Sequence, residues 1–318
     1  MNLPNKLLTE IEHECEKINH AKLVSYAQNL SLRYRTESGH SKRLLTNKDE
    51  ALAYAISRMP ATYGSVFSAL EKTLSLLNVF PCSLIDAGAG TGTATFASDN
   101  LLNLKEITCL EREESMIQIG QKLLSGNLKS LASPNWIKFD FLKDEIKQKA
   151  ELVIVSYVLN ELSSQDRIMA LDKLWNSTTS ILLIVDSGTP TAFQNLKETR
   201  KYLLNKGAYL IAPCSHTNDC PLGANDWCHF SCRIQRTKLH KILKGGEAPF
   251  EDEAFTYLAF SKTPAKMTEK RVLRHPQIKP KVITFSVCTS QGIKQLTYSK
   301  KDGEAYKLAK KVSIGDEL

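Results

Sequence analysis

The chain has 318 residues, 42% hydrophobic and 24% charged, with a formal net charge of +8. This is the make-up of a water-soluble globular protein, large enough for one domain with appendages or for two. No apolar run approaches the ~20 residues that span a bilayer. The opening stretch MNLPNKLLTEIEHECEKINH has neither an apolar signal core nor an Arg-rich, acid-poor leader. Membrane and exported classes are set aside, and a cytosolic protein acting as a single copy is expected.

Residues 1–80 read as a helical segment. LLTEIEHECEKI, HAKLVSYAQNLSLRYR, DEALAYAISRM and TYGSVFSALEKTLSLL all space apolar residues three and four apart, and Pro60 divides the last two. The pattern then changes to strand, turn and helix. SLIDAG, EITCLE, NWIKFDF, ELVIVSYVLNEL and SILLIVDSG are five apolar strands. Helices ESMIQIGQKLL and TAFQNLKETRKYLLNKG lie among and after them. Such alternation predicts an α/β fold with a parallel sheet covered on both faces. AYLIAPC leads into a Cys-rich loop, and EAFTYLAFSK reads as a further strand at an antiparallel end of the sheet. KVITFSVC and KQLTYS, joined by a turn at Ser290-Gln291-Gly292, make a small β extension. The expected division is a helical segment 1–80, a Rossmann-like core 81–270 that includes the Cys-rich loop 212–232, and a β extension 271–318.

The chemistry-bearing motif is Asp86-Ala87-Gly88-Ala89-Gly90-Thr91-Gly92 after the first strand. Gly88, Gly90 and Gly92 let the backbone turn sharply and approach a ligand closely. A dinucleotide site would place a third glycine where Thr93 stands. Asp86, two places before the loop, suits the cationic methionine part of S-adenosylmethionine. Glu111, about twenty residues past the loop at the second strand's end, suits a ribose diol. Asp140 and Phe141 at the third strand's end suit adenine, and Ser156, within the fourth expected strand, is placed at the same crevice. Each of these acids alone is an ordinary surface carboxylate, and their order along three strand ends is what points to a cofactor.

Eight cysteines are present, four of them between Cys214 and Cys232. In a reducing compartment clustered thiols read as metal ligands before disulfides. The gaps Cys214-x5-Cys220-x7-Cys228 do not match the paired spacing of structural zinc. Iron–sulfur clusters tolerate irregular spacing, and the Cys220-Pro221 step is common at them. Zinc completed by His216 or His229, and reduced thiols with no metal, remain the alternatives.

With these motifs on the page the chain resembles class I methyltransferases, and more specifically the mitochondrial small-ribosomal-subunit methyltransferase-like family and its bacterial relatives. The stretches that carry the resemblance are SLRYR, RMPATYGSV, LIDAGAGTGTATFAS, SYVLNEL, VDSGTP, APCSH, CPL, DWCHF and the terminal KKVSIGDEL. The resemblance implies association with the small ribosomal subunit and its 16S-type RNA, in assembly or translation. It also implies a 4Fe-4S cluster on Cys214, Cys220, Cys228 and a cysteine of the C-terminal extension. Cys288 is the candidate for that fourth ligand and Cys232 its rival.

Charge agrees with an RNA partner. Residues 231–318 hold 18 Lys and Arg against 9 Asp and Glu, whereas the rest of the chain is balanced to within one charge. Arg271, Arg274, Lys279, Lys281, Lys310 and Lys311 are the expected phosphate contacts; the bland reading is a solvated basic surface. Catalytic residues are harder to assign. Ser156-Tyr157-Val158-Leu159-Asn160-Glu161 stands where exocyclic-amine methyltransferases carry Asn/Asp-Pro-Pro-aromatic, and no cysteine nucleophile lies near. Tyr157, Asn160 and Glu161 are placed to meet a base, or Asn160 and Glu161 merely continue a helix. An RNA methyltransferase and a non-catalytic, cofactor-binding ribosome factor both fit, while a small-molecule methyltransferase leaves the basic tail unused.

Overall fold

The computed structural model describes residues 3–16, 18–37, 47–78, 80–223 and 225–318. Lys17, inside the first expected helix, lies outside the described residues. In the N-terminal segment α1 (Asn5–Glu16) buries Leu7, Ile11 and Cys15, one per turn. It is followed by α2 (His20–Glu37). α3 (Lys48–Ser57) starts at Asn47, whose side chain accepts the Glu50 backbone N–H, with Asp49 and Glu50 in the first turn favouring the helix dipole. α4 (Met59–Leu74) has Pro60 in its first turn, where a missing N–H is harmless. α4 is buried almost throughout, from Met59 to Val66 without a break.

The core then unfolds in the order β1 (Ser83–Ala87), α5 (Thr93–Leu101), β2 (Glu106–Glu111), α6 (Glu114–Leu124), β3 (Asn135–Lys138) and β4 (Ala150–Ser156). It continues with α7 (Ser164–Ser177), β5 (Thr178–Ser187), α8 (Pro190–Asn205), β6 (Tyr209–Ala212), β7 (Phe230–Gln235), α9 (Lys238–Lys244) and β8 (Phe250–Ser261). The strands lie in the order β3-β2-β1-β4-β5-β8-β6, with β7 also on β8. β1 to β5 pair in parallel, and β8 runs antiparallel to β5, β6 and β7. This is a Rossmann-like, mostly parallel α/β sheet whose strand order reverses between β1 and β4.

Side-chain alternation explains both covered faces. Leu84, Leu152, Ile154 and Leu183 point towards Leu70, Phe96 and Ala97 of α4 and α5. Their neighbours Ile85, Val153, Leu182 and Ile184 point towards Leu171, Leu174, Leu196 and Leu203 of α7 and α8. Each such side chain contributes roughly 1.5–3 kcal/mol by leaving water.

β6 and β7 occupy one edge of β8 end to end. Tyr209–Ala212 runs beside Ser261–Ala259, and Phe230–Gln235 beside Phe255–Phe250. Residues 213–223 and 225–229 leave the sheet between them as a loop. A second sheet follows, made of β9 (Arg271–Val272), β10 (Gln277–Lys279), β11 (Val282–Thr289) and β12 (Gly292–Ser299), with α10 (Glu304–Ala309) behind it. β11 alternates cleanly, sending Ile283, Phe285 and Val287 onto Val272 and Ala309. Gly292 takes φ +96° at the β11–β12 turn, a conformation that suits glycine alone.

The structure departs from expectation at several ends. The third strand stops at Lys138, and the fourth stops at Ser156 rather than running to Leu162, because Tyr157 turns to φ 59°. A 3-10 turn covers Leu159–Glu161. β7 begins at Phe230 inside the stretch expected as loop, and α7 was not foreseen although Ser163 caps it by accepting the Asp166 N–H. Among the described residues no helix is long and apolar enough to cross a membrane.

Candidate cofactor and metal sites

After Ala87 the chain passes through Gly88, Gly90 and Gly92 at φ of 73°, 55° and 81°. A Cβ on Gly88 would lie 2.4 Å from Val158 Cγ2 and one on Gly92 2.7 Å from Leu124, whereas one on Gly90 would meet nothing within 4 Å. Gly92 starts α5 without a capping side chain. Asp86 does that work from the strand: its Oδ2 accepts the Thr95 backbone N–H and the Thr95 hydroxyl, both at 2.9 Å. The carboxylate is wholly buried and faces α5, not the cleft, so the methionine-binding role expected of Asp86 gives way to a capping role.

Burial pushes Asp86 up to about 6, against the pull of the two Thr95 bonds. A raised carboxyl makes the folded state the better proton binder, so stability falls as pH rises from about 4 to about 6 and is level above. Asp86→Asn keeps the acceptor and removes the buried charge. Its stability relative to wild type should therefore increase through that window by about 3 kcal/mol. Parallel urea titrations at pH 4, 5, 6 and 7.5 check this; a constant offset would show that the carboxylate carries no such cost.

The remaining strand ends border an open cleft, and Gly88, Gly90, Glu111, Asp140, Phe141 and Ser156 all line it. Glu111 ties the loop to β2, its two oxygens accepting the Gly90 and Glu113 N–H groups at 2.8 Å each. Burial raises its pKa and these bonds oppose the rise. Phe141 is held edge-on by Phe139 at 5.0 Å, and Asp140 accepts the Leu142 N–H at 2.9 Å. Of the expected cofactor residues, Asp86 and Gly92 stand behind this wall.

A larger, solvent-open cavity adjoins the cleft, and Tyr54, Tyr157, Glu161 and Leu162 line both. Tyr157, a non-glycine residue in left-handed backbone, places its hydroxyl 2.9 Å from Ser65 Oγ and 3.1 Å from Glu253 Oε1. Asn160 bridges Ser187 and Asn195 at 3.4 and 2.7 Å. Asp186, whose Oδ1 accepts the Ser187 N–H, is pushed up to about 7 by burial. Tyr54 was not singled out in the sequence, since nothing distinguishes it from other apolar positions of α3.

Cys214, Cys220, Cys228 and Cys288 line one pocket together with Arg200, His216, Tyr257 and Arg271. Cys288 arrives on β11, and Ser215 donates to its carbonyl at 2.9 Å. Burial lifts Cys214 to about 11, Arg200 opposing and Cys220 and Cys288 adding to the rise. It also lifts Cys228 well above the usual thiol range, with the other three thiols contributing. Cys232 is elsewhere, on β7 with its sulfur 3.9 Å from Ser65 Oγ. His229 is held on Trp227, whereas His216 Nε2 lies 3.6 Å from Cys288 Sγ.

Among the described residues no group of three or more His, Cys, Asp or Glu closes up as for a single metal ion. The four thiols line one pocket without converging on a point. The same pocket holds four buried polar atoms without partners: Arg200 Nε, His216 Nδ1, Tyr257 OH and an Arg271 guanidinium nitrogen. Donors such as these suit an anionic, hydrogen-bond-accepting occupant. Arg200 and Tyr257 had no signal in the sequence, because each is one residue on the inner face of a helix or strand.

Two residues expected to meet phosphate are otherwise engaged. Arg271 is buried, donating to the Pro213 carbonyl at 2.9 Å and the Gly315 carbonyl at 2.7 Å. Arg274 pairs with Asp226 and donates to the Leu273 carbonyl. Lys279, Lys281, Lys310 and Lys311 are exposed. So are Lys300 and Lys301, and the Lys300 N–H donates to the Lys281 carbonyl.

The family model described as "Mitochondrial small ribosomal subunit Rsm22" matches residues 48–318. The human protein "Ribosome assembly protein METTL17, mitochondrial" is 26% identical over 304 residues, covering 89% of this chain and 66% of its own length. "Rsm22-cox11 tandem protein 2, mitochondrial" from Schizosaccharomyces pombe is 23% identical over 330 residues, covering 87% of this chain and 44% of its own. The chain thus spans just under two thirds of the first relative and under half of the second. Among solved structures, the N-methyltransferase NodS from Bradyrhizobium japonicum overlaps 73% of this chain at 13% identity with a TM-score of 0.44. These matches overturn the cytosolic expectation: the family and both relatives are described as mitochondrial. The expectation had rested on soluble composition and the look of the first twenty residues, and a soluble α/β composition does not distinguish compartments.

Proposed function

The chain belongs to the Rsm22 family of the mitochondrial small ribosomal subunit, and from that premise we propose that it is a methyltransferase-like factor that binds S-adenosylmethionine and a 4Fe-4S cluster and works on the small ribosomal subunit. The observation that carries the reading is the cleft, where Gly88, Gly90, Glu111, Asp140, Phe141 and Ser156 meet at the carboxyl ends of four strands beside the switch point. Glu111 would hold the ribose hydroxyls, Phe141 and Asp140 the adenine, and the open space at Gly90 the methionine backbone.

Cys214, Cys220, Cys228 and Cys288 would hold the cluster, with Arg200 and Arg271 beside its negative charge. The cluster supplies a crosslink between the loop 213–229 and the second sheet. Residues 271–318, with their exposed lysines, would face ribosomal RNA, the chain acting as a single copy.

Gly90→Arg tests the cofactor site. Its Cβ meets open space, but a φ of 55° strains any side chain, so a melting curve must show the variant folded while the arginine fills the cleft. Calorimetry with S-adenosylmethionine should show binding by wild type and at least a hundredfold loss in the variant, roughly 2.7 kcal/mol. Equal binding by both would put the cofactor elsewhere. A second reading, cofactor binding without methyl transfer, is favoured by Tyr157. Its hydroxyl is engaged with Ser65 and Glu253, and no Pro-Pro step shapes the end of β4. Small-subunit precursor RNA incubated with methyl-labelled donor separates the two: incorporated label establishes transfer.

A further inference from the structure

We propose that Glu161 is the residue by which the protein tells the charged cofactor from its neutral demethylated product, its carboxylate facing the sulfonium where the cleft opens into the larger cavity. The proposal rests on the cleft being a S-adenosylmethionine site. It concerns a different residue from the test of that site, and its readout is the pH dependence of an affinity ratio rather than binding itself.

Position is the first support. The far end of the cleft belongs to Glu111, Asp140 and Phe141, the groups suited to adenosine, which leaves the sulfur end towards β4. Glu161 lines the wall there and, with Tyr54, Tyr157 and Leu162, also lines the larger cavity, so it stands where the two spaces meet.

Rigidity is the second. Glu161 closes the 3-10 turn Leu159–Glu161, its N–H donating to the Val158 carbonyl at 2.9 Å. Leu159 is anchored in the core and Asn160 is bridged on both sides. Among the described residues no hydrogen bond or ion pair occupies its carboxylate.

Charge is the third. Glu111, Arg112 and Glu113 from the end of β2, Asp186 from β5 and Tyr54 from α3 surround the group, and Arg58 and Arg167 border the same cavity. Burial, then repulsion from Glu111, pushes Glu161 up to about 8, Arg112 opposing. Near neutral pH it is therefore largely protonated. A sulfonium beside it favours the ionised form, so binding the cation expels a proton, whereas a neutral thioether has no such effect. The coupling is reciprocal: a pKa lowered by one unit is a tenfold gain in affinity for the cation once the carboxylate is ionised.

The experiment is calorimetry of S-adenosylmethionine and S-adenosylhomocysteine with wild type and Glu161→Gln, from pH 6 to pH 9, in buffers of different ionisation enthalpy. In wild type the affinity ratio of methionine to homocysteine form should rise about tenfold between pH 6 and pH 9. The rise should bring a proton release in excess of that seen with the variant, which carries the ligands' own titration. Glu161→Gln should bind the homocysteine form normally and show a flat ratio. The wild-type pH series stands by itself if the variant is unstable. A ratio that varies with pH alike in both proteins, or not at all in wild type, overturns the role of Glu161 and leaves the cofactor site intact. Binding of neither ligand to wild type overturns both.

Discussion

Cys288→Ser is expected to strip the colour and most of the iron from protein purified without oxygen, and to cost about 3 kcal/mol of stability, as loss of a long-range crosslink does. The thiol comes from the second sheet into a pocket whose other three thiols belong to the loop 213–229. Removing it leaves three ligands and loosens the attachment of that sheet, to which Arg271, Ser215, the Arg274–Asp226 pair and the Lys72–Asp316 pair also contribute. Iron analysis, visible absorption and limited proteolysis of residues 262–270 read the effect together. Cys232→Ser is the control: its thiol lies against α4 and β7, so iron should be retained. Stoichiometric zinc without iron in fresh wild-type protein would reject the cluster, and equal iron loss in both variants would reject Cys288 as the special ligand.

Replacing Lys279, Lys281, Lys300 and Lys301 together by Gln should weaken binding to small-subunit RNA by about a hundredfold at moderate salt. It should also flatten the slope of log affinity against log salt by about three, since each phosphate contact releases counterions. These four are exposed near the end of the second sheet where Lys300 bonds to Lys281. Arg271 is not part of this surface, because its guanidinium stitches Pro213 to Gly315 inside the protein. An unchanged salt slope in a folded quadruple variant would leave these charges a solubility role only.

The sheet and the glycine loop were legible because their signals are local: apolar runs of the right length, and glycines where the backbone needs positive φ. Roles that depend on which way a side chain points were not. Asp86 and Glu111 are both acids at strand ends, yet Asp86 turns under the loop to cap α5 while Glu111 turns into the cleft. Arg271 and Lys279 look alike as charges, and only the fold buries one and exposes the other. β7 was hidden because DWCHF drew its first residues into the cysteine loop, although Phe230, Cys232 and Ile234 alternate as a strand does. The unpaired atoms of Arg200 and Tyr257 at the thiol pocket come from two elements far apart in sequence, which no spacing rule reaches.

The edge shared by β6 and β7 sets a timetable for making the protein. Both strands leave the ribosome before residues 250–261, their common partner, and until then β5 also has a bare edge. Pairing that waits for distant chain is slow, since loop closure must precede any gain. Three of the four pocket cysteines emerge in the same interval, and the fourth follows only at residue 288. A nascent chain halted before residue 250 therefore carries open strand edges and an incomplete set of thiols at once. That is the point in its synthesis at which it is most prone to stick to its neighbours.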